Sequence, residues 1–286
     1  MHFPVMLDEC IEYLAVRPEG IYCDATAGWG GHSGAIAAKL TSGFVIANDR
    51  DAESLEMAKR NTAAYADRMR FHHGTFGDLG PALKAFGVER VDGLLADLGV
   101  SRPQLTEPER GFSLMSDGPL DMRLDRSQGS TAHDLVNFIS EKELADLIFR
   151  LGDERRSRKI SRAIVRARPI HTTLQLARVI EAAVPRTSKL HPATLTFMAL
   201  RLAVNDEQGE LDRLLSTAPD LIKSGGRMVV VTFMSLEDRK VKQSFQALAR
   251  AGRATLLNKH VIRPTDEETH HNPPSRSAKL RAVEMR

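Results

Sequence analysis

The 286 residues are 42% hydrophobic and 27% charged, with a formal net charge of +3 and a pI near 8.9. That is enough apolar material for one large core or two modest ones, but no run approaches the ~18 apolar residues of a membrane span, so a membrane protein is excluded. Only Cys10 and Cys23 are present, without CxxC spacing, which excludes a disulfide scaffold and a thiolate metal site, and the mild positive charge permits a polyanionic partner without requiring one.

In chain order, the amino terminus Met1-His2-Phe3-Pro4 shows neither a basic leader nor a long apolar stretch, so the cytosol is the expected address. Tyr22-Cys23-Asp24-Ala25-Thr26-Ala27-Gly28-Trp29-Gly30-Gly31-His32-Ser33, followed by Phe44-Val45-Ile46-Ala47-Asn48-Asp49, reads as strand, glycine turn, helix, strand and acid. Glycines at 28, 30 and 31 let the backbone turn tightly and approach a ligand, and Asp49 ends the second strand with a carboxylate facing the same crevice, placed to take ribose hydroxyls. The spacing meets the first two glycines of a dinucleotide fingerprint, but Ser33 stands at the third. The turn by itself suits a nucleotide ligand and a plain structural turn equally.

A helix over 52–66 and a short strand at Arg70–His73 continue the alternation. Val91–Ala96 then reads as a buried fourth strand ending in Asp97, a second acid at a strand's carboxyl end. Residues 100 to 130 are crowded with Gly, Pro, Ser and Asp, and their mixture of aromatic, arginine and carboxylate argues for an ordered binding loop. Ser140 and Glu143 form a capping box ahead of a helix with an apolar stripe of Leu144, Leu147, Ile148 and Leu151. Helices are expected at 154–167, 173–184 and 192–205, the last with Pro192 in its first turn. Strand signals return at 225–233, 254–258 and 277–285, with an amphipathic helix after the first of them. The assembly predicted is an α/β fold with a mostly parallel sheet, divided as a core of 1–104 and 206–286 with an inserted helical substrate-binding domain at 105–205.

On the helix beginning at Glu154, Arg155, Arg158 or Lys159, Arg162 and Arg166 form one basic stripe, with Ile160 and Ile164 on the inward face. An isolated charge run reads as a solvated face; on an insertion beside a ligand crevice, phosphate-backbone binding is the stronger reading. The adjacent pairs His72-His73 and His270-His271 lack metal-ligand spacing, and no metal is expected. Asn272-Pro273-Pro274-Ser275 resembles the motif by which amino-group methyltransferases hold a flipped base, but it precedes the last strand and ends in Ser, so the location at 97–101 is preferred as the active centre.

Several separated segments together resemble the bacterial S-adenosylmethionine-dependent small-subunit ribosomal RNA cytosine-N4 methyltransferases of the RsmH or MraW type. They are His2-x-Pro4-Val5-Met6-Leu7, Asp24-x-Thr26-x-Gly28-x-Gly30-Gly31-His32-Ser33, Asp97-Leu98-Gly99-Val100-Ser101, Arg110-Gly111-Phe112-Ser113, Gly118-Pro119-Leu120-Asp121-Met122-Arg123, His191-Pro192-Ala193-Thr194, Ser235-Leu236-Glu237-Asp238-Arg239 and Arg276-Ser277-Ala278-Lys279-Leu280-Arg281. The resemblance implies a Rossmann-like class I methyltransferase that binds S-adenosylmethionine through Gly30, Gly31, His32, Asp49, Phe76, Asp97 and Gln104. It implies methylation of a cytosine N4 in the decoding region of 16S rRNA, with rRNA or the assembling small subunit as partner; a homodimer is compatible with it. Where the family usually has His before Ser235, this chain has Met234.

Cytosine's exocyclic nitrogen is a poor nucleophile because its lone pair is delocalised, so acceptors that turn the amino group toward tetrahedral geometry favour attack. Asp97 and Asp121 are the candidates for that role, and Phe112 is a candidate to stack on an unstacked cytosine. Competing readings are a nicotinamide oxidoreductase, a non-catalytic cofactor-binding RNA module and a DNA amino-methyltransferase.

Overall fold

Alternation of short apolar runs with helix-forming segments builds the first half of the chain. In this computed structural model, which describes residues 4–186 and 190–286 with backbone alone at 102 and 103, α1 (Leu7–Leu14) precedes β1 (Ile21–Asp24), α2 (Gly31–Lys39), β2 (Phe44–Asp49), α3 (Ala52–Asn61), β3 (Met69–His73), α4 (Leu79–Ala85) and β4 (Val91–Asp97). His2 of the amino-terminal motif lies outside the described residues. The chain then runs through α5 (Arg102–Thr106), α6 (Ala132–Phe138), α7 (Glu141–Gly152), α8 (Ser157–Ala167), α9 (Thr173–Ala183), α10 (Thr194–Val204) and α11 (Glu207–Thr217). It closes with β5 (Ile222–Thr232), α12 (Ser235–Arg250), β6 (Ala254–Leu256), α13 (Asp266–His271) and β7 (Lys279–Met285).

The seven strands form one sheet in the order β3-β2-β1-β4-β5-β7-β6. All pairs are parallel as far as β5, and β7 runs antiparallel to both of its neighbours, in keeping with the mostly parallel sheet expected. Helices cover both faces, so β4 is buried along nearly its whole length and is apolar from Leu94 to Ala96. Successive side chains serve opposite cores: Leu94, Met228 and Val230 pack with Leu79, Leu83 and Phe245 on one face, and Leu95, Val229 and Val231 pack with Cys10, Leu14 and Ile36 on the other. Because β2 and β3 add on one side of β1 while β4 and β5 add on the other, the strand order reverses between β1 and β4. In open α/β sheets that reversal opens a crevice at the carboxyl ends of the strands.

The chain divides into two compact units, residues 1–99 with 208–286, and residues 100–207. The second unit begins earlier and ends later than the expected 105–205. Val100 packs against this unit's own core, and the Arg201 guanidinium grips both carboxylate oxygens of Glu207 at 2.8 and 2.9 Å. Its core joins Leu144, Ile148, Ile160, Ile164, Leu176, Ile180, Phe197 and Leu200, and the Ser140–Glu143 capping box is formed as read.

Two helix starts fall later than expected. Before α8, the Glu154 carboxylate takes the backbone N–H of Arg156 at 2.8 Å and its guanidinium at 3.0 and 3.1 Å; the resulting turn delays the helix to Ser157 and leaves Arg155 ahead of it. Pro192 sits in a turn closed by Thr194 N–H donating to His191 C=O, so α10 begins at Thr194.

The long segment after Gly99 is ordered by its own contacts. Gly111 has φ +75°, and a Cβ there would lie 2.1 Å from the Pro119 carbonyl oxygen. The buried Arg110 guanidinium donates to the carbonyls of Arg123 and Leu124. Asn205, 1% exposed, accepts from Leu124 N–H at 2.8 Å and donates to the carbonyls of Met122 and Arg201. Asn205→Ala removes the side-chain partner of Leu124 N–H and Met122 C=O, a cost of roughly 1–3 kcal/mol, while Arg201 C=O keeps the backbone N–H of residue 205. The expected outcome is faster amide hydrogen exchange at Leu124, with β4 and β5 amides unchanged; equal protection at Leu124 would show that the loop is held by other contacts.

Candidate cofactor site and basic helix

The end of β1 is tied to both of its neighbours. Ala25 N–H donates to Leu95 C=O and Ala27 N–H to Asn48 C=O, while the Thr26 hydroxyl oxygen accepts Asp97 N–H at 2.7 Å. The glycine turn follows. Gly28 lies at φ +52° and donates its N–H to Asp49 Oδ2 at 2.7 Å; the other carboxylate oxygen of Asp49 accepts Asp51 N–H at 2.9 Å. Asp49 therefore holds the turn in addition to facing the crevice. Gly30, at φ +85°, sits immediately before α2, where a Cβ would come within 2.9 Å of Thr62 Cγ2; at Gly31 it would press on Pro4 at 3.1 Å. At Gly30 the positive φ and the close approach together favour glycine, and the first N–H groups of α2 lack intrahelical acceptors.

Carboxylates crowd this end of the sheet. Asp24 is fully buried and is bonded by the Ser33 hydroxyl at 2.5 Å and by Thr26 N–H at 3.1 Å. Burial nevertheless pushes its carboxyl up, against the opposing pull of His32, Ser33 and Thr26. Asp97 Oδ1 is buried with no hydrogen-bond partner among the described residues. Burial first, then the charges of Asp24, Glu237 and Glu268, raise its carboxyl well above the ordinary range. His32 is buried, and burial lowers its pKa, so the imidazole is neutral. Because Nε2 lies 3.1 Å from the Val5 carbonyl oxygen, which can only accept, Nε2 carries the hydrogen and Nδ1 turns its lone pair toward Asp97 Oδ2, 3.8 Å away.

Phe76, half-buried, packs on the core while its N–H donates to Glu210 at 2.9 Å. Sequence reasoning did not single out three further residues. Asn48 bridges Ala25, Gly74 and His72 across the strand ends. Glu237, 3% exposed, accepts the N–H groups of Phe233 and Met234 ahead of α12. Glu268 accepts Met6 N–H at 2.7 Å, which fixes Met6 at φ +53°. Glu237 was visible in the sequence only as a member of the Ser235–Arg239 segment, with no role attached, and Glu268 had no signal, because its partner is 262 positions away. Asn272–Ser275 follows α13, remote in sequence from β4, and no group able to hold a metal exists among the described residues.

In the second unit, Gln104 is buried and its side-chain oxygen accepts Ser101 N–H at 2.8 Å. Asp121 is gripped through both oxygens by Arg123 at 2.8 and 2.9 Å. Burial favours its protonation, but the Arg123 bonds and the Arg126 charge hold the carboxyl below the usual range. Phe112, a candidate for base stacking, is 6% exposed and belongs to this unit's core; its ring is occupied by packing. Arg158, Lys159, Arg162 and Arg166 are exposed on α8 and Arg155 is exposed just before it, while Ile160 and Ile164 are fully buried. Arg162 meets Glu141 at 3.4 Å.

A doubly wound sheet with a glycine turn after β1 and acids closing β2 and β4 defines a nucleotide-type crevice at the carboxyl ends of the strands. The MraW methylase family model matches residues 1–286. A protein named ribosomal RNA small subunit methyltransferase H from Solibacter usitatus is 66% identical over 286 residues, covering all of both chains. Proteins of the same name from Acidobacterium capsulatum and Thermosipho melanesiensis are 48% and 44% identical, covering 100% and 99% of this chain and 98% and 97% of theirs. A solved Clostridium thermocellum structure described as an rRNA-methylase aligns over the whole of both chains with TM-score 0.50 at 12% identity, a likeness of fold alone. The chain belongs to the MraW methylase family and is an S-adenosylmethionine-dependent methyltransferase. Among the described residues, no helix is long and apolar enough to cross a membrane.

Burial raises Asp49, against the opposing bonds from Asp51 and Gly28, to about 6 from 3.8. The folded chain keeps this proton where the unfolded chain has lost it, so this group's contribution to stability declines as pH rises from roughly 4 to about 6. A carboxyl-carbon NMR titration should show the Asp49 midpoint near 6; a midpoint at the ordinary value would mean a more hydrated pocket.

Proposed function

We propose that the chain methylates the exocyclic N4 of a cytosine in the decoding region of small-subunit rRNA, holding S-adenosylmethionine through Gly30, Gly31, His32, Asp49, Phe76, Asp97 and Gln104. The observation that carries this reading is Asp97 Oδ1, a buried oxygen without a partner at the carboxyl end of β4. An orphaned acceptor in such a position is costly unless a ligand supplies a donor. The glycine turn at 28–31, with Gly28 and Gly30 at positive φ and a Cβ at Gly30 meeting Thr62 at 2.9 Å, and the Asp49 carboxylate fit the cofactor's amino acid and ribose ends.

The bound cofactor supplies a methyl group on a sulfonium, already a good leaving group, so the protein's task is orientation. Asp97 accepts a hydrogen bond from the cytosine amino group, which withdraws the nitrogen lone pair from conjugation with the ring. Its raised affinity for a proton suits Oδ1 to take the proton that the methylated amine releases. His32, neutral and pinned through Val5, presents a lone pair to Asp97 and adds no competing positive charge. Asp121, held through both oxygens by Arg123, orders the loop that carries it. The exposed cations of Arg155, Arg158, Lys159, Arg162 and Arg166 hold the phosphate backbone. The names of the relatives support rRNA of the small subunit as the substrate.

Labelled methyl transfer to unmodified small subunits and to protein-free rRNA, followed by nucleoside analysis, tests the reading; label anywhere other than N4-methylcytosine would refute it. Asp97→Asn should lower kcat about 10²–10³-fold with RNA affinity retained, and near-normal turnover would remove Asp97 from the chemistry. Reversing Arg155, Arg158 and Arg162 to Glu should weaken RNA binding and flatten its dependence on salt. An unchanged slope would return the stripe to a solvated surface.

A further inference from the structure

Phe138, the last residue of α6, is 74% exposed. Its neighbours are polar rings: His133 meets it edge to face with centroids 5.9 Å apart and planes at 72°, and His171 stacks on His133 at 5.6 Å and 23°. The cluster is held from behind. His133 N–H donates to Leu120 C=O and Leu120 N–H to His171 C=O, which joins α6, the 118–124 loop and the segment before α9. Asn137 bonds both the carbonyl and the N–H of Ile170. The Arg168 guanidinium donates to the carbonyls of Val136 and Ile139, each at 2.7 Å, and so ties one cation to the backbone that carries Phe138. The Asp134 carboxylate gives Oδ2 to its capping box with Thr131 and turns Oδ1 toward His133 Nδ1 at 3.8 Å, which holds that ring in place.

From this geometry we propose that Phe138, with His133 and His171, is a stacking platform for an unpaired nucleobase of the RNA substrate. The inference rests on the rRNA reading above. A protein-docking site would offer a contiguous aliphatic patch, whereas this one offers one large exposed aromatic face, two imidazoles and a guanidinium. Aromatic rings beside cations are what single-stranded nucleic acid uses, since every base has a π-face and every nucleotide a phosphate. Exposing so much of a phenylalanine ring to water gains the free protein nothing, and the hydrogen bonds behind it fix its place.

The test measures RNA affinity and turnover of the full chain on small-subunit rRNA. Phe138→Ala should raise KM and Kd for RNA about 10-fold, leave kcat and cofactor affinity unchanged, and keep the salt slope of the native protein. Phe138→Trp should restore affinity, and its added indole fluorescence, taken as the difference from the native chain with its single Trp29, should be quenched on adding RNA. Native affinity in Phe138→Ala, or an unquenched Phe138→Trp, overturns the platform alone. A native chain that binds no RNA overturns the platform and the rRNA reading together.

Discussion

The Asp49 carboxylate, accepting the N–H groups of Gly28 and Asp51 at 2.7 and 2.9 Å, is the contact on which the site depends. It closes the end of β2 onto the turn after β1, so that the glycines and the strand ends share one frame. The Thr26 hydroxyl does the same toward β4 by accepting Asp97 N–H. These are short polar bonds within a sheet whose two apolar cores hold the strands rigid, and rigidity is what positioning a nucleophile requires.

Within that frame the electrostatics run against ordinary ionisation. Burial raises the Asp97 carboxyl, and Asp24, Glu237 and Glu268 lie near enough to add to the effect. Ser33 and Thr26 satisfy Asp24, and backbone N–H groups satisfy Glu237 and Glu268. Asp97 alone among these keeps an oxygen without a partner. Neighbours that are already satisfied hold their place, and the one that is not is free to meet a ligand.

The second unit separates its aromatic residues by role. Phe112 sits in a motif of the resemblance yet serves the core, while Phe138, outside every motif, stands in solvent. Asp121 follows the same logic: as a motif carboxylate it suggested chemistry, but the bidentate grip of Arg123 makes it an anchor of the loop.

The sequence by itself determined the strand and helix alternation, the mostly parallel sheet, the glycine turn with Asp49 and Asp97 at strand ends, and the insertion between two parts of one core. These rest on local periodicity and on residues whose conformational demands are their own. Only the tertiary structure decided which carboxylate is left unsatisfied, that Glu268 serves Met6 from 262 positions away, that Phe112 is buried and Phe138 is not, and that Arg155 falls before α8 because Glu154 folds back on Arg156. Burial and hydrogen-bond pairing depend on partners distant in the chain, and residue spacing within a motif carries no information about them.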